Sequence, residues 1–136
     1  MNLSHHIESF CFWDIVMPWA RETLQHEYLV ARAMAKGVVR DGLRAQSVDA
    51  RWTTHGTFEL RGLPFVGYVA KDGQLPIFIR SSALKHLRDI VDKAATPNPQ
   101  LLFEEFVTRQ DFRAWLQQER TQLPVFWFES GALHEG

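Results

Sequence analysis

The chain has 136 residues, 46% of them hydrophobic and 23% charged, and a formal net charge of −1. This length predicts one domain over residues 1–136, large enough to bury a core without metals or disulfide bonds. The small net charge argues against general nucleic-acid binding, which depends on many cationic contacts to phosphates. Residues 1–9 and 131–136 are expected to be loose tails.

Neither a targeting signal nor a membrane segment is visible in the sequence. The single cysteine, Cys11, cannot form an intrachain disulfide, which favours a reducing compartment. The first residues lack the basic and apolar regions of a secretory signal, and no apolar run approaches the ~18 residues that span a bilayer. We therefore expect a cytoplasmic protein with no membrane contact.

A long helix is the first regular element that the sequence predicts, starting near Asp14 or Pro18 and running to about Lys36. Aspartate suits the N-cap, and proline suits the first turn, so either residue can mark the start. Gly37 is a natural stop or kink, and residues 38–45 suit a shorter helix after it. The apolar stripe of the long helix has helical spacing and consists of Val16, Ala20, Leu24, Ala31 and Ala35.

From Ser47 the hydrophobic period changes to two, which predicts antiparallel strands. Asp72-Gly73 between two apolar runs is a strong hairpin signal. Four strands in sequence, a meander, follow from this pattern and cover residues 48–53, 57–61, 65–70 and 75–80. The last two carry apolar residues on both faces, so each face needs a cover.

Helices are predicted to follow the meander, the first from Ser81-Ser82 to about Ala95. Residues four apart on its surface form opposite-charge pairs, namely Lys85/Asp89, Arg88/Asp92 and Asp89/Lys93. Residues 101–107 suit a short helix. Thr108 and Asp111 then resemble a capping box, which starts a helix that ends near Arg120.

The apolar run 123–128 is typical of a strand that is covered on both faces. The predicted fold class is therefore α+β. In it, an antiparallel four-stranded meander and a C-terminal fifth strand pack against the long N-terminal helix and two or three further helices.

Motifs for catalysis and for metal binding are missing from the sequence. It has no phosphate-binding glycine loop, no GxGxxG and no GxSxG. The six histidines are scattered and lack the spacing of metal ligands. Glu104 and Glu105 would point about 100° apart on a helix, so we expect a solvated edge there. We expect no catalytic residues, metal or cofactor, although enzymatic activity stays open.

Basic residues recur every four positions along the N-terminal helix. Arg32, Lys36, Arg40 and Arg44 would form one stripe if the helix continued through Gly37, and Arg51 would extend it. Such a stripe suits nucleic acid or another polyanion. The alternative is the solvated face of an amphipathic helix.

Aromatic residues are abundant, with five Trp and ten Phe, and most of them must lie in the core. The surplus apolar strand surface has three possible covers: the chain's own helices, a second subunit or a small apolar ligand. The interface candidates are Val125, Phe126, Trp127 and Phe128. The candidates for a ligand pocket between sheet and long helix are Trp19, Tyr28, Trp52 and Tyr68.

These patterns favour a small cytosolic, non-enzymatic binding or regulatory module that acts by protein–protein contact as a homodimer. Apolar strand surface without a catalytic constellation is the basis of this prediction, since interfaces favour Trp, Phe and Arg. Polyanion binding through the basic stripe and a small apolar ligand pocket are the two alternatives.

Overall fold

The computed structural model describes residues 7–47, 57–60, 62–69 and 76–128. These residues form helices and two antiparallel three-stranded sheets, which confirms the α+β class. The helices are α1 (Phe12–Thr23), α2 (Glu27–Arg40), α3 (Ser81–Lys93) and α4 (Arg109–Gln118). The strands are β1 (Ser9–Cys11), β2 (Gln46–Ser47), β3 (Thr57–Leu60), β4 (Leu63–Val69), β5 (Pro76–Arg80) and β6 (Glu105–Thr108). None of the described helices is long and apolar enough to cross a bilayer.

The first sheet contains β3, β4 and β5 in sequential order, each paired antiparallel with the next. Leu60 pairs with Leu63 across a tight turn, where Gly62 has a positive φ of 77° that favours glycine. The predicted strand over residues 48–53 lies outside the described part of the chain. Three sequential strands of the predicted meander are therefore present.

The second sheet joins distant parts of the chain in the order β1-β6-β2. Ser9 pairs with Thr108, and Gln46 pairs with Phe106. The short helix predicted over 101–107 is therefore wrong. A 3₁₀ turn at Pro99–Leu101 ends as this range begins, residues 102–104 are not helical, and residues 105–107 belong to β6. Strand β6 lies between two partners, and this long-range pairing outweighs its local helix preference.

The long N-terminal helix is divided into α1 and α2. The break lies at Leu24, whose φ of 58° is left-handed, and His26 caps α2 by accepting a hydrogen bond from the Tyr28 N–H at 3.0 Å. Gly37 does not stop the helix, because it lies inside α2 against Trp115. A Cβ at this position would be 2.7 Å from the Trp115 ring, so glycine permits the close approach.

The separate short helix predicted over residues 38–45 is wrong, because residues 38–40 are the last turn of α2 and residues 41–45 are not helical. The predicted C-terminal fifth strand is also wrong, since residues 125–127 form a turn. The Glu22 carboxylate accepts hydrogen bonds from the N–H groups of Val125 and Phe126 at 2.8 and 2.9 Å. A side chain thus satisfies the backbone donors that a sheet partner would otherwise use.

Strand β5, at the edge of the first sheet, is covered on both faces within one chain. Ile77, Phe78 and Ile79 are all buried, although successive side chains point to opposite faces of a sheet. An aromatic cluster fills the core beside the helices and includes Phe12, Trp19, Phe112, Trp115, Trp127 and Phe128. The surplus apolar surface of β5 therefore needs no second subunit.

Candidate functional site

The connection between α1 and α2 exposes several large apolar side chains. Leu24 is 92% exposed, and Met17, Tyr28 and Leu29 are exposed between 41% and 58%. Met17 lies within α1, and Leu24 is the residue that caps the C-terminal end of this helix. Tyr28 and Leu29 follow in the first turn of α2. We call Met17, Leu24, Tyr28 and Leu29 the apolar corner.

Leu24 is the most unusual member of the apolar corner, because its exposed side chain makes almost no packing contacts within one chain. Its left-handed backbone costs about 1–2 kcal/mol relative to an ordinary conformation, and glycine is usual at such helix ends. Ala94 and Arg120 have the same backbone geometry at the ends of α3 and α4, so the conformation alone is not distinctive. Its near-complete exposure is distinctive, because Leu24 is the most exposed large apolar side chain among the described residues.

A row of cations continues from the apolar corner along the outer surface of α2. Arg32, Lys36 and Arg40 are exposed on this uninterrupted helix, and we call them the basic face. Arg44 lies beyond the helix end, and Arg51 is outside the described residues. The structure thus brings three of the five predicted polyanion-binding residues onto one surface.

Of the four residues predicted to line a ligand pocket, the three that the structure describes are not brought together. Trp19 is buried with its ring centroid 5.3 Å from that of Phe112, whereas Tyr28 is exposed at the apolar corner. The Tyr68 hydroxyl donates to the Ala45 carbonyl at 2.5 Å and accepts from the Ala45 N–H at 3.1 Å. Trp52 lies outside the described residues.

The four predicted interface residues differ in burial, and two of them lie in the core. Val125 is 48% exposed and Phe126 is partly buried, whereas Trp127 and Phe128 are buried in the core. Two of the four aromatic and apolar side chains are therefore unavailable to a partner.

A buried polar network, which the sequence did not predict, connects β2, β5 and β6. The Arg80 guanidinium donates from Nη2 and Nε to the two Glu105 carboxylate oxygens at 2.6 and 2.9 Å. Ser47 Oγ donates to Glu105 at 2.5 Å and accepts from the Arg80 N–H at 3.0 Å. Arg80 also stacks on Phe103, 4.0 Å from the ring centroid.

Glu105 is therefore fully buried, and the prediction of a solvated edge at Glu104 and Glu105 is wrong for this residue. Because β6 alternates inward and outward positions, Glu105 points inward with Val107. The charges of Arg80 and Glu105 satisfy each other, which suits a structural role better than a substrate site. No group of three or more His, Cys, Asp or Glu side chains in the described ranges is placed to hold a metal.

Cys11 has no environment that would activate its thiol. Partial burial raises its pKa, and the negative charges of Asp14 and Glu105 raise it further. The thiolate is the reactive form, so a raised pKa leaves the side chain largely unreactive at neutral pH.

His86 should make stability depend on pH. Its Nε2 accepts a hydrogen bond from the Asn98 N–H at 2.9 Å, and burial lowers its pKa below the usual histidine value. Since the unfolded chain takes up the proton first, this stability is complete above the ordinary pKa and is lost as pH falls through the lowered value. Urea unfolding between about pH 7.5 and about pH 5 measures the effect.

The variant His86→Gln is the control, because glutamine keeps an acceptor but does not titrate in this range. We expect a smaller fall in the free energy of unfolding across the same pH interval. Equal falls in the wild type and His86→Gln would contradict this assignment.

Comparisons with protein-family models, curated proteins and solved structures found no match to this chain.

Proposed function

We propose that this chain is a non-enzymatic binding module that acts by protein–protein contact and forms a homodimer through the apolar corner. The observation that carries the proposal is the 92% exposure of Leu24 beside the exposed Tyr28 and Leu29. Burying such side chains against a partner stabilises a complex by roughly 25 cal/mol per Å² of apolar surface. The strand surface of β5 no longer supports a dimer, because one chain already covers it.

A second copy of the chain suits the apolar corner, because the charged residues beside the corner complement those of an identical copy. Arg21 lies before Leu24 in α1, and Glu27 lies after it at the start of α2. A two-fold axis near Leu24 brings each leucine against its counterpart and sets opposite charges of the two copies side by side. Because the corner has only four side chains, the dimer should be weak and reversible.

Sedimentation velocity from about 1 µM to about 200 µM tests the proposal over the range of a weak dimer. The wild-type sedimentation coefficient should rise with concentration. The variant Leu24→Gln/Leu29→Gln should remain monomeric throughout, with unchanged circular dichroism. Both substitutions are at exposed positions, so we expect the fold to tolerate them.

The matched control is Leu63→Gln, which changes a leucine that is 43% exposed on β4, away from the apolar corner. It should dimerise like the wild type. A wild type that is monomeric at every concentration would overturn the proposal. An equal loss of dimer in Leu63→Gln and in the corner variant would also overturn it.

Long polyanions are a less favoured class of partner. The basic face spans only about 12 Å of helix from Arg32 to Arg40. Arg40 also contacts Asp92 at 3.1 Å, which offsets part of its charge. Affinity for nucleic acid grows with the number of phosphate contacts, so three cations supply little of it.

A further inference from the structure

We infer that a cleft between α2, β4 and α3 binds a small ligand in which an anionic group is joined to an apolar body. The cleft has a volume of about 320 Å³. Val38, Val39, Tyr68 and Val69 give it apolar walls, and Arg40 and Arg88 supply cations. This volume lies at the lower end of the range for ligand sites, so the ligand has about one or two rings.

Arg40 and Arg88 both supply positive charge to the cleft, because Asp92 binds Arg40 and not the predicted Arg88. The spacing of Arg88 and Asp92 predicts an ion pair within α3, but Asp92 contacts Arg40 of α2 at 3.1 Å. Arg88 has no hydrogen bond or ion pair to the described residues. Arg40 and Arg88 both line the cleft and Asp92 pairs with only one of them, so the described residues give the cleft a net positive charge.

Arg40 and Arg88 line the same cleft, one from α2 and the other from α3. Arg88 lies one turn before Asp92 on the same face of α3, and Asp92 holds Arg40. The side chains of Arg40 and Asp92 are 54% and 55% exposed, so their ion pair is weak. Arg40 can therefore turn toward a ligand, while Arg88 is available from the start. Arginine suits carboxylate and phosphate groups because it donates two parallel hydrogen bonds.

The Tyr68 ring forms a fixed wall of the cleft. Ala45 holds the hydroxyl group through both its N–H and its carbonyl. Burial raises the pKa of Tyr68 to about 12, although the positive charge of Arg44 lowers it in part. The phenol is therefore neutral and does not repel an anion, and its face suits an aromatic or aliphatic body.

This cleft is separate from the surface proposed for dimerisation. It lies at the C-terminal end of α2, whereas Leu29 of the apolar corner lies at the N-terminal end, about 16 Å away along the helix. Loss of ligand binding and loss of the dimer can therefore be distinguished with different variants.

Binding to the full chain can be measured by two-dimensional NMR with four probes. These are 2-naphthoate, 2-naphthyl phosphate, the neutral 2-naphthol and inorganic phosphate. The two anionic naphthyl compounds should shift the backbone amides of Val39, Gly42 and Val69 in a saturable way. The stronger of the two identifies the anionic group, while 2-naphthol and inorganic phosphate should bind far more weakly because each lacks one half of the recognised chemistry.

Arg88→Gln should lower the affinity for the tighter-binding anionic probe about tenfold, the effect of losing a charged hydrogen bond. The matched control is Lys93→Gln, which removes one positive charge from α3 outside the cleft and should leave the affinity within about twofold. Equal affinity of Arg88→Gln and the wild type would overturn the inference. It would also be overturned if 2-naphthol bound as tightly as the anions, or if the shifts were spread across the surface.

Discussion

Glu105→Ala should lower the free energy of unfolding by about 3–5 kcal/mol, the usual effect of removing one partner of a buried ion pair. The substitution leaves the Arg80 charge inside the protein without its counter-ion. Arg80 is 4% exposed, and its nitrogens lie 2.6 and 2.9 Å from the Glu105 oxygens. Ser47 loses its acceptor as well. Urea unfolding followed by tryptophan fluorescence measures the loss.

Two controls separate the buried charge from the mere loss of a contact. Asp92→Ala removes the exposed partner of Arg40 and should cost at most about 1 kcal/mol. The double variant Arg80→Met/Glu105→Leu should recover much of the lost stability, because apolar residues of similar size need no counter-ion. A Glu105→Ala protein as stable as Asp92→Ala would refute the role assigned to this network.

Trp127→Ala should also destabilise the protein by about 3–5 kcal/mol, since it opens a cavity in the core. The Trp127 ring is fully buried, with centroid distances of 4.9 Å to Phe10 and 5.3 Å to Phe112. Its indole N–H also donates to the Ile7 carbonyl at 2.8 Å. Thermal and urea unfolding report the change.

The neighbouring Val125→Ala is the control for Trp127→Ala. Val125 is 48% exposed, so we expect a change within about 1 kcal/mol. If Trp127 formed an intermolecular interface, Trp127→Ala would change the sedimentation coefficient and leave the unfolding of the monomer nearly unaltered. That result would show that the core assignment of Trp127 is incorrect.

Elements determined by short-range chemistry could be predicted from the sequence. Alternating apolar residues predicted β3, the two apolar runs beside Asp72-Gly73 predicted β4 and β5, and the serines after Arg80 predicted α3 to within a few residues. Thr108 caps α4 as predicted, by accepting a hydrogen bond from the Asp111 N–H at 3.1 Å. Such signals are contained within a few neighbouring residues, so one sequence is sufficient to detect them.

Elements that depend on distant partners could not be predicted. Strand β6 forms because Ser9 and Gln46 bring separate segments to its two edges. Without those segments, Glu104-Glu105 has the composition of a helix edge. The burial of Glu105 depends on Arg80 in another sheet, and no spacing rule connects residues that are 25 positions apart.

The candidate site was also only partly predictable. The basic residues of α2 were found from their spacing, but the break at Leu24 has neither the glycine nor the proline that usually marks one. Leu24 was therefore predicted to be part of the apolar stripe of one long helix. Similarly, the spacing of Arg88 and Asp92 predicted an ion pair within one helix. Asp92 instead pairs with Arg40 of α2, a contact that depends on the tertiary structure and leaves no spacing signal.

The two ends of the described chain complete the same core, and this has a consequence for how the protein is made. Ser9 pairs with Thr108, and the Trp127 side chain binds the Ile7 carbonyl. During synthesis, the segment with Ile7 and Ser9 stays uncovered until the segment with Thr108 and Trp127 has been made. Such late formation of non-local contacts slows folding and leaves apolar surface exposed to aggregation. We therefore expect chaperones that bind the chain during translation to benefit this protein more than one built from local contacts.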